Sequence, residues 1–158
     1  MTLAAFRLQL AVGPGDIDEL GHTNNVSYLR WVQLVAESHW ASLARHLAAA
    51  ERTRLTWVVR RHEIEYLAQS YPGDALELIT WVPSCGPATC DRATLIRRRD
   101  DSAPVVQAVS TYCILDPASG RLRRVTDELR ALFGHPPTIA RPRREPFPPL
   151  PNEIEDGA

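Results

Sequence analysis

Asp16-Ile17-Asp18-Glu19-Leu20-Gly21-His22-Thr23-Asn24-Asn25-Val26-Ser27-Tyr28 gathers carboxylates, an imidazole and two carboxamides into one loop. The chain's one strong helical pattern follows directly. From Tyr28 the apolar positions recur at Trp31, Val32, Val35, His39 or Trp40, Leu43 and Leu47, while Arg30, Gln33, Glu37 and Arg45 lie elsewhere around the helix. This spacing predicts a helix of about five turns. It opens at Asn24 or Asn25, since either side chain can accept hydrogen bonds from the first free amides. Those amides and the positive end of the helix dipole stabilise negative charge. With the Asp18 carboxylate and the His22 imidazole beside them, the loop has the parts to attack an acyl carbonyl and hold the resulting oxyanion.

Around this loop the rest reads as strands. Phe6 to Val12 alternates apolar and polar residues, and Gly13-Pro14-Gly15 breaks it. After a polar break at Glu51 to Arg54 come strands at Thr56 to Leu67, Leu76 to Val82, Thr89 to Arg98 and Val105 to Leu115. Turns at Pro72-Gly73-Asp74, Ser84 to Ala88 and Asp116 to Gly120 separate or end them. Val125 to Phe133 reads as a short helix capped by Thr126. One long helix and about five strands indicate an α+β arrangement, an antiparallel sheet curling round the helix. From Gly134 the prolines accumulate, which predicts a domain over residues 1–133 and an extended or partly disordered tail over 134–158. Removal of that tail is expected to leave chemistry intact.

Asp-x-Asp-x-x-Gly-His-x-Asn-Asn followed by Tyr28 resembles the active-site loop and helix start of the hotdog-fold acyl-CoA thioesterases. That group includes the 4-hydroxybenzoyl-CoA thioesterases and the plant acyl-carrier-protein thioesterases. Val58 to Tyr66 and Tyr71 to Leu78 resemble the family's second strand, its connection and its third strand, so the likeness spans about residues 3 to 133. It implies a hotdog fold and hydrolysis of an acyl thioester of coenzyme A or acyl carrier protein. Asp18 would then be the catalytic carboxylate, as base on water or as nucleophile forming an anhydride. The Asn25 backbone amide would polarise the thioester carbonyl, and His22 would help position or activate the attacking group. Gly21 would let the backbone approach closely, with Asn24 and Tyr28 beside the substrate. The sequence departs from the plant enzymes at Leu20, where they carry a catalytic asparagine.

Composition narrows the alternatives. The net charge of −1 gives no sign of nucleic-acid or polybasic membrane binding. No apolar run approaches a membrane span and Met1 to Ala11 lacks the pattern of a secretory signal, so a cytoplasmic protein is expected. Cys85, Cys90 and Cys113 have neither metal nor redox spacing, and the expectation is reduced thiols with no disulfide and no zinc. His39 and His46 lack a third ligand at metal spacing and read as solvated or core residues. There is no Gly-x-Ser-x-Gly elbow, phosphate-binding glycine loop or dinucleotide motif, and no cofactor beyond the coenzyme A of the substrate is required.

Arg60, Arg61, Arg92 and Arg97 to Arg99 offer guanidinium groups for coenzyme A phosphates, Arg60 and Arg61 first among them. Arg97 to Arg99 read more readily as a solvated sheet face. The four tryptophans suit an acyl pocket or an ordinary core. Open sheet edges predict a homodimer or homotetramer with sites at the subunit interface. Besides a thioesterase, a non-catalytic acyl-thioester-binding hotdog protein and a hotdog dehydratase remain as readings.

Overall fold

A computed structural model describes residues 4–135 and 147–157. The long helix α1 runs from Asn25 to Ala44, followed by one short turn of helix, α2 (Ala49–Arg52), and the late helix α3 (Asp127–Leu132). The strands are β1 (Ala4–Ala11), β2 (Thr56–Tyr66), β3 (Ala75–Cys85), β4 (Thr89–Arg98), β5 (Pro104–Leu115), β6 (Leu122–Arg123) and β7 (Glu153–Asp156). They form one sheet in the order β2-β5-β4-β3-β1-β7, with β6 on β5. The count is therefore seven among the described residues, where about five are expected. The two additions are short and lack the length that makes alternation readable.

Alternation along the strands divides the core between the two faces of the sheet. Toward α1, Tyr28, Trp31, Val32 and Val35 pack with Leu76, Leu78, Ile96 and Val106. On the far face Ala5, Ile79, Trp81 and Ala93 are covered by Phe147, Leu150 and Ile154. Part of the expected tail is thus built into the fold. β7 pairs with β1 in parallel, Ala4 to Arg7 against Glu153 to Asp156. Glu153-Ile154-Glu155-Asp156 contains no proline, so each of its amides is available to pair. The rest of the tail, residues 136–146 and 158, lies outside the described residues.

The expectation of three reduced thiols is corrected at the β3–β4 hairpin. Cys85 and Cys90 form a disulfide, and Cys113 is free and buried. The register sets Cys85 directly opposite Cys90, with Cα atoms 4.1 Å apart. A turn over Ser84 to Ala88 would hold Cys85, whereas β3 continues through that residue. The cysteines therefore give no support for a reducing compartment. Among the described helices none is long and apolar enough to cross a membrane.

Candidate active site

The loop before α1 is a small closed structure of its own. Ile17 bridges Thr23, Asp18 N–H donates to the His22 carbonyl at 3.0 Å, and Gly21 N–H donates to the Asp18 carbonyl at 3.1 Å. Gly21 completes the turn at φ +83°, a left-handed conformation that glycine adopts without strain. A Cβ there would meet open space, so the backbone angle, and no crowding within the chain, is what selects glycine. The Asp18 carboxylate accepts from Leu20 N–H at 2.9 Å through Oδ1. Its other oxygen lies 3.7 Å from Nδ1 of His22. Both side chains are partly exposed, at 24% and 22%.

Asn24 is the N-cap. Its side chain accepts from Val26 N–H at 2.9 Å, its carbonyl accepts from Ser27 N–H at 2.9 Å, and its own amide donates to the Asp16 carbonyl at 2.7 Å. The Asn25 amide, first of the helix, has no carbonyl a turn behind it to bond. No acidic residue stands in the first turn of α1 to neutralise the dipole. Asp16 plays a structural part, accepting from Gly13 N–H at 3.1 Å.

The helix start borders a cleft of about 270 Å³, with His22, Thr23, Asn25 and Tyr28 on one side and residues 66–69 on the other. A buried knot joins the two sides. The Tyr28 hydroxyl lies 2.7 Å from Ser70 Oγ and accepts from Ser70 N–H at 3.1 Å. Thr23 Oγ1 lies 2.6 Å from Ser70 Oγ, and Thr23 N–H donates to the Ser70 carbonyl at 2.9 Å. Tyr28 lines the cleft, yet its hydroxyl is committed to holding Ser70. Neither Thr23 nor Ser70 stands out in the sequence, because each is an ordinary turn residue until the β2–β3 connection is known to pass the helix start.

His22 and Asn25 thus meet at one cleft, with the Asp18 carboxylate behind His22 and off the cleft wall. Arg60 and Arg61 are not brought to it. Both are exposed on β2, where the register shifts between Val59 and Arg61, and Arg61 pairs with Glu63 at 2.8 Å. Arg97 pairs with Glu77 and Arg98 with Asp74. A larger cavity, about 410 Å³, opens farther along α1, between that helix and strands β2 to β5, with Trp40, Trp57 and Arg92 in its wall. Trp31 and Trp81 are core residues. His39 is buried and serves Arg92, whose guanidinium lies 2.9 Å from its Nδ1.

Comparison with known proteins agrees with this architecture. A chloroplastic acyl-[acyl-carrier-protein] hydrolase of Cuphea viscosissima is 32% identical over 78 residues, which are 48% of this chain and 18% of that protein. The match therefore spans less than a fifth of that relative's length. The 1,4-dihydroxy-2-naphthoyl-CoA thioesterase of Synechocystis superposes with a TM-score of 0.71 at 14% identity, over 82% of this chain and 96% of the other. The 12:0-ACP thioesterase of Umbellularia californica does so with a TM-score of 0.72 at 19% identity, over 94% of this chain and 57% of the other. At such identities the likeness concerns the fold, which is the hotdog fold. Residues 12–153 match the sequence model of the thioesterase-like superfamily, a stretch that holds the loop, α1 and strands β2 to β6, and the chain belongs to that superfamily.

Proposed function

We propose that the protein hydrolyses an acyl thioester of coenzyme A or acyl carrier protein to free acid and thiol. The observation that carries this reading is the uncommitted Asn25 amide at the head of an uncompensated helix dipole, on the same cleft as His22, with Asp18 directly behind. The thioester carbonyl sits at the helix start. As water or the carboxylate attacks, charge collects on the carbonyl oxygen, and the Asn25 N–H with the helix dipole stabilises it. The thiolate then leaves. A thiol of pKa about 8.5 departs far more readily than an amine, so little acid assistance is needed.

Asp18 supplies the negative charge for attack, as base on water or as nucleophile. Its 3.7 Å separation from His22 exceeds a hydrogen bond, and such contacts commonly tighten once substrate is bound. Leu20, 74% exposed, offers no carboxamide, so an asparagine-assisted route has no side chain at that position. The reading includes a homodimer paired along β2. Release of free thiol from a panel of acyl-CoA and acyl-carrier-protein thioesters tests it. Steady turnover is expected. Binding without release would favour an acyl-thioester-binding protein, and formation of an enoyl product a dehydratase.

A further inference from the structure

Arg92 lines the larger cavity and is only 5% exposed. Arg7, Arg97 and Arg98 each bond a carboxylate. Arg92 does not, among the described residues. Both of its hydrogen bonds leave from Nη1, to Nδ1 of His39 at 2.9 Å and to Thr80 Oγ1 at 3.2 Å. Those acceptors are neutral, since burial, and then the Arg92 charge, holds the His39 imidazole down to about 3. Arg92 itself, lowered by burial to about 10, stays charged at neutral pH. A buried cation with no counter-charge is strongly unfavourable.

The unused nitrogens are Nε and Nη2. They form one edge of the guanidinium, the edge that meets a planar carboxylate with two parallel hydrogen bonds. Trp57, also in the wall, keeps its buried indole N–H without an acceptor among the described residues. Most of the remaining lining is apolar, with Trp40, Val58, Val59 and Val82. Glu37 stands at the exposed rim, where it accepts from Gln33 at 3.0 Å, and its charge bears on Tyr112. Gln33, at the same rim, lies two turns along α1 from Asn25, about 12 Å at ~1.5 Å per residue.

Building on the thioesterase reading, we infer that this cavity receives an acyl group whose far end carries a carboxylate, and that Arg92 is the side chain that selects it. An apolar chain fills the wall of tryptophan and valine. The terminal carboxylate supplies the acceptor that the guanidinium edge lacks.

The test compares matched thioesters: adipyl-, suberyl-, sebacyl- and hexadecanedioyl-CoA against hexanoyl-, octanoyl-, decanoyl- and palmitoyl-CoA. The wild-type protein should favour a carboxylate-ended member over its methyl-ended partner by about 10-fold or more in kcat/KM, the scale of one charged hydrogen-bonded contact. Arg92→Met keeps the aliphatic stem and should abolish that preference while still hydrolysing methyl-ended chains. Arg92→Gln serves the same purpose if the methionine variant does not fold. An equal or inverted wild-type ratio, or an unchanged ratio in a folded variant, overturns the inference and leaves the thioesterase reading standing. If no thioester is hydrolysed, that reading fails separately, and fluorescence of Trp40 and Trp57 still decides the cavity. Octanoate should then perturb the emission at concentrations about 10-fold below octanamide in wild type, with the difference lost in Arg92→Met; equal responses overturn the inference.

Discussion

Asp18 and Asp16 stand two positions apart in the sequence, and the structure gives them different work. Asp16 closes the turn at Gly13, while Asp18 holds Leu20 N–H with one oxygen and turns the other toward His22. Asp18→Asn keeps the shape and the acceptor toward Leu20 but removes the base or nucleophile. Turnover should fall at least ~100-fold with folding and substrate binding retained, measured as thiol release and by circular dichroism. Asp16→Asn should leave the rate near normal, and His22→Ala should fall between the two. A well-folded Asp18→Asn protein of normal activity would move the chemistry elsewhere.

His39 carries a second prediction at this scale. Its folded value of about 3 lies below the ordinary 6.5, so between those limits the unfolded chain binds a proton that the folded one excludes. Stability contributed by this group is present above that window and is lost as pH falls through it, by about 1.4 kcal/mol for each pH unit. His39→Gln retains an acceptor for Arg92 and should flatten that slope. Urea unfolding at about pH 7 and about pH 5 measures it, and an acid slope equal to wild type would refute the role given to His39.

At the scale of elements, α1 and strands β1 to β5 are legible because each is long enough for its period to show. The cap of α3 by Thr126 is equally readable and the N-cap of α1 is narrowed to Asn24 or Asn25, of which the structure uses Asn24; both capping side chains accept amides. What eludes sequence reading is whatever depends on register or on distant neighbours: the Cys85–Cys90 pair, the knot of Thr23, Tyr28 and Ser70, and β7. Composition marks residues 134–158 as tail, yet Phe147 packs edge-on against Trp81 with ring centroids 5.6 Å apart. Truncation after Phe133 should therefore expose Trp81 and Ile79 and remove a strand. A loss of at least ~3 kcal/mol is expected, the scale of losing one buried aromatic contact, read from the urea midpoint. The cleft at Asn25 is lined by residues of the first seventy positions, so the folded fraction should keep its turnover. An unchanged midpoint would mean that the far face needs no cover.

On the scale of the whole molecule, the two margins of the sheet are treated differently. β7 closes the β1 side with a short strand bearing three carboxylates, a pattern that discourages further pairing. The β2 side is open: eleven residues long, its outer edge pairs with nothing among the described residues. Tyr66 and Leu67 lie exposed at its end, and Val26 and Leu34 lie exposed on α1. A long unpaired edge of this kind is a template for another strand, and a second copy of the same chain would meet it with two-fold symmetry. Pairing β2 with β2 would join the sheets and bring residues 66–69, one wall of the cleft, to the subunit boundary. Sedimentation at micromolar concentration should give at least twice the chain mass. Ile64→Pro, in the regular half of β2, removes an amide and should shift the protein toward monomer, with weaker acyl-thioester turnover because the wall at residues 66–69 loses the support of the partner subunit. A wild-type protein that sediments as a monomer with full turnover would show that the β2 edge is tolerated open and that each cleft works alone.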